Sequence, residues 1–260
     1  MDTPQASPPA AGAAEQLSFT DKLVGIFASP GELFVSVARN PVANSNWVVP
    51  TVILALVGAL LGFVVMNNPV IADQIQQMAT QQMDEQFQKA IREGRMTQEQ
   101  ADQARSQAES FGKTGIMVSS IAGPLIGPFI ALFAWSLVYW LLGKAVMKAS
   151  TPYLKVSEVY GLTNYIALLG AIVTTIMMIG MEKFTASPSA AVFISDFSPM
   201  DTWHRAASAL NIFTFWQLGV IGIGLARIFQ RDTAKVVVLI AAIWVLWTAA
   251  LIFGLSAFTG

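Results

Sequence analysis

Residues 114–143 read TGIMVSSIAGPLIGPFIALFAWSLVYWLLG and contain no charged side chain before Lys144. Because a helix rises about 1.5 Å per residue, this stretch can extend roughly 45 Å, more than the about 30 Å of hydrocarbon in a bilayer. Two Gly-Pro pairs lie within it, Gly123-Pro124 and Gly127-Pro128. Since proline removes a backbone donor and crowds the preceding turn, we predict a central membrane-spanning helix that is kinked or broken at these pairs.

The composition of the whole chain also indicates a membrane protein. Of its 260 residues, 54% are hydrophobic and only 12% are charged, whereas soluble domains carry about 25% charged residues. The net charge of −1 provides no basic field for nucleic acid. Cysteine is absent and His204 is the single histidine, which argues against thiol chemistry, a histidine metal site and a Ser-His-Asp triad. We therefore predict no enzymatic activity, no cofactor, no metal and no nucleic-acid partner.

Four further apolar segments accompany the central one, which predicts an all-α, polytopic membrane bundle of five transmembrane helices. Residues 1–18 are rich in proline and alanine and are interpreted as a disordered tail rather than a signal peptide. Residues 41–260 form the predicted membrane domain, with spans near residues 47–66, 116–143, 159–181, 206–226 and 236–258. The fourth of these is predicted to continue a helix that begins near Ser198-Pro199-Met200-Asp201.

Residues 19–40 are amphipathic rather than membrane-spanning. Ser29 suits a helix N-cap, Pro30 the first helical position, and Glu32, after Gly31, the acid of a capping box. We expect two short helices here. They either lie along the membrane interface or pack against the bundle, and these alternatives are compatible.

Residues 70–112 are predicted to form an extramembrane helical hairpin between the first two spans. Gly94 is a natural helix stop, and Thr97 with Gln100 has the spacing of a capping box. The glutamine-rich arms suit either partner binding or a solvated extension of the flanking spans.

Few residues in the predicted spans suggest chemistry. As bounded above, the spans contain no buried acid, lysine or arginine, which argues against a proton-coupled transporter. Glu158 lies near Tyr160 and Asn164 at a span end, where we expect it to remain hydrated and to serve structure rather than catalysis. Gly58-x-x-x-Gly62 provides a smooth face for close contact between two helices.

The basic residues of the short loops predict the orientation. An odd number of spans places the two termini on opposite sides, and both short basic loops then share a side with the N-terminus. We predict a cytoplasmic N-terminus and an external C-terminus.

Several motifs in order resemble a known family. They are F-x-SPGE-x-F at residues 27–34, the GP-containing second span, YLKVSEV at 153–159, NIFTFWQL at 211–218 (with Asn211 and Trp216), GIGL at 222–225 and IAAIWVLW at 240–247. The chain resembles the bacterial branch of the Yip family, the Rab/Ypt-interacting-protein membrane domain, from about residue 20 onward. The resemblance implies a five-span, non-enzymatic domain, here in a bacterial inner membrane, with a cytoplasmic N-terminus.

In eukaryotic relatives the resemblance implies secretory-pathway trafficking and binding to small GTPases and to other family members. Small-GTPase binding does not carry over directly, because only about forty residues precede the first span of this chain. The leading hypothesis is a non-catalytic protein that organises membrane proteins or lipids, with self-association or binding to other membrane proteins. The alternative is a transporter, channel or lipid-handling protein that uses a Gly-Pro-broken second span.

Overall fold

The computed structural model describes residues 17–198 and 201–259, so the predicted tail lies almost wholly outside the described residues. Within them the chain folds into nine α-helices and one 3-10 turn. The bounds are α1 Phe19–Ala28, α2 Pro30–Arg39, α3 Ser45–Met66, α4 Pro69–Arg92, α5 Gln98–Ala145, α6 Tyr153–Gly180, η1 Ala190–Phe193, α7 Thr202–Ala209, α8 Ile212–Phe229 and α9 Thr233–Thr259. Five helices are long and apolar enough to cross a membrane, namely α3, the Thr114–Ala145 part of α5, α6, α8 and the Thr233–Gly254 part of α9. The predicted all-α, five-span class is confirmed.

Helix α5 is one continuous helix, so the Gly-Pro pairs do not break it, and the alternative of a kink stays a prediction. Pro124 and Pro128 both lie inside it. The fixed φ of proline is compatible with an α-helix. Within a helix, proline lowers stability because it removes the hydrogen bond to the carbonyl four residues earlier and crowds that carbonyl. For Pro124 that carbonyl belongs to Ser120, and it lies directly against Gly62 of α3. The neighbouring helix therefore covers the exposed carbonyl, and the second span continues through both prolines.

The predicted hairpin is formed by α4 and the first part of α5. Gly94 has a φ of +68° in the turn, a conformation that glycine adopts without a steric penalty. Thr97 accepts a hydrogen bond from the Gln100 backbone N–H while the Gln100 side chain bonds back, which confirms the predicted capping box. Arg105 Nε lies 2.8 Å from Asp84 Oδ1 and joins the two arms. Because α5 is unbroken, the second arm is a direct extension of the second span.

Helices α1 and α2 pack into the bundle. Phe34 has no exposed surface and belongs to the same apolar core as Val159 of α6 and Leu225 of α8. Ser29 is the N-cap residue of α2 and Pro30 its first residue, but the Ser29 side chain makes no capping hydrogen bond, so the predicted capping box is wrong. Ser18 and Asp21 form an unpredicted capping box on α1.

The predicted fourth span is in fact two helices. Helix α7 ends at Ala209, and α8 begins at Ile212 after Asn211, whose side-chain oxygen accepts from the Phe213 N–H at 2.9 Å. Asp201 caps α7 through the N–H groups of Trp203 and His204, while Pro199 and Met200 lie outside the described residues. The separate N-cap at Asn211 is the local reason for the division, because it starts a new helix.

Candidate functional site

The most deeply buried charges lie at the start of α6. Glu158 has no exposed surface, and its Oε2 atom lies 2.9 Å from Lys155 Nζ. Its Oε1 atom accepts from the backbone N–H of Ala43. Lys155 Nζ also donates to the carbonyl oxygens of Asn40 at 2.8 Å and Pro41 at 3.2 Å. The ion pair therefore holds the α2–α3 connection against α6, and each charge has partners, as buried charges require.

This pair corrects two expectations from the sequence. The third apolar helix begins at Tyr153 rather than near residue 159, so the spans do contain a buried acid and a buried lysine. Glu158 is also not hydrated at a span end. Asn164 takes no part in its site, since the Asn164 amide donates to Thr51 Oγ1 of α3 at 2.8 Å.

Two further polar contacts join α6 to its neighbours. The Asn164–Thr51 bond links α6 to α3, and Gln217 Nε2 of α8 lies 3.2 Å from Thr163 Oγ1. Thr51 and Thr163 also donate to backbone carbonyls of their own helices. These four polar side chains thus bond to one another across helices, which is how polar groups associate transmembrane helices.

The Gly-Pro residues belong to a close helix contact and an apolar groove. A Cβ atom added at Gly58 would lie 3.1 Å from Pro124 Cβ, and one added at Gly62 would overlap the Ser120 carbonyl oxygen. Gly58-x-x-x-Gly62 therefore packs α3 on α5. Gly123 and Gly127 have no neighbour within 4 Å of an added Cβ, so they do not contribute to this contact. A mostly apolar groove of about 450 Å³ runs beside it, lined by residues of α3, α4, α5 and α6 that include Pro124 and Pro128.

The remaining candidate residues are spread over two places. Ser29, Pro30, Gly31 and Glu32 lie at the corner between α1 and α2, where Gly31 approaches the Arg227 side chain of α8. Asn211 caps α8, and the Trp216 ring contacts the Phe27 ring edge-on at 5.6 Å. The Phe27 and Trp216 rings are therefore in contact. These candidate residues belong neither to the Gly-Pro contact nor to the site of Glu158.

The described residues do not assemble a metal-binding cluster, and His204 and Asp201 make structural contacts. None of the described residues forms a group of three or more histidine, aspartate or glutamate side chains that could hold a metal. His204 stacks on Phe197 and accepts from the Ser198 N–H at 3.0 Å, which is a structural role. Hydrogen bonds from the N–H groups of His204 and Trp203 lower the pKa of Asp201, which is exposed, and this is typical of a helix cap.

The sequence analysis did not identify several residues that form the buried ion pair and the close helix contacts. Lys155 and Glu158 have a visible i,i+3 spacing, and placing the start of the third span earlier would have paired them. Gly161 lies where an added Cβ would overlap Trp47, so it brings α6 close to α3. Neither Ala43 nor Ser120 gave a signal, because both contribute only backbone atoms.

Comparison with known proteins supplies one result. The model of the Yip1 domain matches residues 24–255. No curated protein and no solved structure matches the chain significantly.

Proposed function

Because the family match covers most of the chain, the chain belongs to the Yip1 domain family, and we propose that it is a non-catalytic integral membrane protein that associates with other membrane proteins. Its apolar helices and family establish an integral membrane protein in a lipid bilayer. The non-catalytic role is supported by the use of its interior polar groups. The Lys155–Glu158 pair, the Thr51–Asn164 bond and the Thr163–Gln217 bond all hold helices together.

The small-residue face of α3 is not available to a partner. Gly58 and Gly62 already pack against α5 of the same chain. A surface for association must therefore come from a helix at the edge of the bundle. Helix α9 is such a helix, since it packs chiefly on α8.

An exposed stripe runs along α9 at helical spacing. It combines small residues with branched apolar ones, and Leu246 within it is 70% exposed. The residues of this α9 outer stripe are Val238, Ala241, Ala242, Val245, Leu246 and Phe253. Small residues allow two helix backbones to approach closely in lipid, where packing rather than water exclusion drives association. This stripe is the observation on which the proposed association rests.

Photocrosslinking in native membranes tests the proposal. A photoreactive residue in place of Val245 is expected to capture protein, either a second copy or another membrane protein, identified by mass spectrometry. The matched control is the same residue in place of Ile130, which is 63% exposed on α5 and lies at a similar position along its span. Capture at Val245 well above that at Ile130 supports association through α9. Equal capture at both positions, or none, would contradict it.

The alternative of a transporter, channel or lipid-handling protein that uses a broken second span has lost the observation that favoured it. It depended on a broken second span, and α5 runs unbroken through Pro124 and Pro128. We propose in addition that the protein resides in a bacterial inner membrane with its N-terminus in the cytoplasm. The basic side chains of the α5–α6 and α8–α9 loops, on the N-terminal side, support this orientation.

A further inference from the structure

A polar cleft of about 350 Å³ opens at the N-terminal side of the bundle. The α5–α6 loop, the start of α6, the end of α8 and Ala38 of α2 surround it. Its lining includes the cations Lys148, Lys155 and Arg231 and the polar side chains of Ser150 and Thr151, and it includes no carboxylate. The cleft is therefore suited in charge to an anion.

The cations around the cleft are unevenly neutralised. Lys155 is paired with Glu158, but among the described residues no carboxylate lies within ion-pair distance of Lys148 or Arg231. Asp232 follows Arg231 in the chain, yet its Oδ1 atom accepts from the Lys235 N–H at the start of α9. Lys148 and Arg231 at the cleft thus have no ion-pair partner in the described part of the protein.

Arg231 is held in position with part of its guanidinium still available to a ligand. Its Nε and one terminal nitrogen donate to the Met147 carbonyl oxygen at 3.0 and 2.6 Å. The second terminal nitrogen takes no part in that contact. Thr151 Oγ1 donates to the Ile228 carbonyl and holds the α5–α6 loop against the end of α8. A fixed guanidinium beside a free ammonium is a common arrangement for binding phosphate oxygens.

The cleft also lies at the level where lipid headgroups are found. The apolar spans of α5, α6 and α8 end there, at Ala145, Tyr153 and Phe229. Val146 and Leu154 are exposed apolar residues beside the lining segment 148–152. A ligand with a phosphate in the cleft and hydrocarbon against these two side chains would match both surfaces.

From this geometry we propose that the cleft binds the phosphate group of an anionic phospholipid. Lys148 and Arg231 contact the phosphate oxygens, and the acyl chains lie along the outside of α5 and α6. A soluble phosphate would use the same cations, but it would leave Val146 and Leu154 without a contact. The binding goes beyond the proposed association through α9, since a single copy of the chain is sufficient for it.

Native mass spectrometry of the protein in mild detergent tests this proposal. The protein is offered equal amounts of phosphatidylglycerol and phosphatidylcholine, and in a separate arm inorganic phosphate alone. Wild-type protein is expected to retain phosphatidylglycerol in preference. Lys148→Gly is expected to weaken that retention by about tenfold, the effect of one charge-assisted hydrogen bond. Because Lys148 has a φ of +51°, glycine suits its backbone and the variant is expected to fold.

A variant of equal charge change serves as the control. Lys235→Gly removes one exposed cation from the same side of the protein, outside the cleft. It is expected to retain phosphatidylglycerol like the wild type. Equal retention of the two lipids by the wild type, or equal losses in the Lys148 and Lys235 variants, would overturn the proposal. Phosphate binding that depends on Lys148 without any lipid preference would overturn it as well.

Discussion

At the scale of single residues, the Lys155–Glu158 pair determines how the N-terminal part of the chain joins the bundle. Both side chains are buried, and together they bond to backbone groups of Asn40, Pro41 and Ala43. Removing one member of a buried ion pair leaves an uncompensated charge, which costs far more than the net contribution of the intact pair. The pair is therefore best tested through the coupling between its members.

We expect Glu158→Leu to lower the free energy of unfolding by about 3–5 kcal/mol, because it leaves the Lys155 ammonium buried without its counter-charge. Lys155→Met should have a similar effect for the converse reason. The double variant is expected to lose clearly less than the sum of the two, measured as unfolding in detergent by denaturant or heat. Additive losses would show that the two groups are not coupled.

At the scale of elements, α3 is held between α5 and α6 by close backbone approaches on two sides. Gly62 faces the Ser120 carbonyl of α5, and Trp47 faces Gly161 of α6. The first contact is also what covers the carbonyl that Pro124 leaves without its helical partner. A glycine in α3 and a proline in α5 thus belong to one structural feature.

Gly62→Ala is expected to destabilise the protein by about 1–3 kcal/mol, the usual cost of adding volume to a packed contact. The added methyl group would overlap the Ser120 carbonyl oxygen, which belongs to the backbone and cannot rotate away. Gly123→Ala is the matched control, since nothing lies within 4 Å of its added Cβ. In a helix interior that control should be neutral or stabilising by about 0.5–1 kcal/mol. The two variants are compared by thermal unfolding in detergent. A melting temperature of Gly123→Ala equal to or lower than that of Gly62→Ala would contradict the described packing.

At the scale of the whole molecule, five spans separate two different surfaces. The N-terminal side contains α1, α2 and the short basic loops around Lys148 and Arg231. The opposite side contains the polar hairpin and the α6–α8 connection, with exposed Phe193 and Trp203. Exposed aromatic residues of this kind are typical of the membrane interface. The molecule therefore offers short basic loops on one side and a long polar hairpin of mixed charge on the other.

The chain contains no cysteine, so single introduced cysteines can report its orientation. If the N-terminus is cytoplasmic, Gln81→Cys in the hairpin should react with a membrane-impermeant maleimide added to intact cells. Arg39→Cys, at the end of α2, should react only after the membrane is permeabilised. Both positions are at exposed sites, so a difference reflects sidedness rather than burial. The reverse pattern would place the N-terminus outside.

Much of the architecture could be predicted because membranes impose a simple condition on sequence. A run such as residues 114–143 must be a spanning helix, and the Gly94 and Thr97 signals set the hairpin turn through local backbone chemistry. The boundaries were harder to predict. Glu158 looked like the hydrated end of a span, and residues 206–226 looked like one helix, because hydropathy does not register a buried ion pair or the Asn211 cap.

The amino-acid sequence by itself determined the helical class, the five spans, the hairpin and the family, since each depends on local pattern and on length. The tertiary structure decided what the unusual residues do. Whether Pro124 breaks its helix depends on a glycine some sixty residues earlier, and whether Glu158 is hydrated depends on a lysine and on backbone from another segment. These outcomes follow from contacts between distant segments, and only the packed bundle brings those segments together.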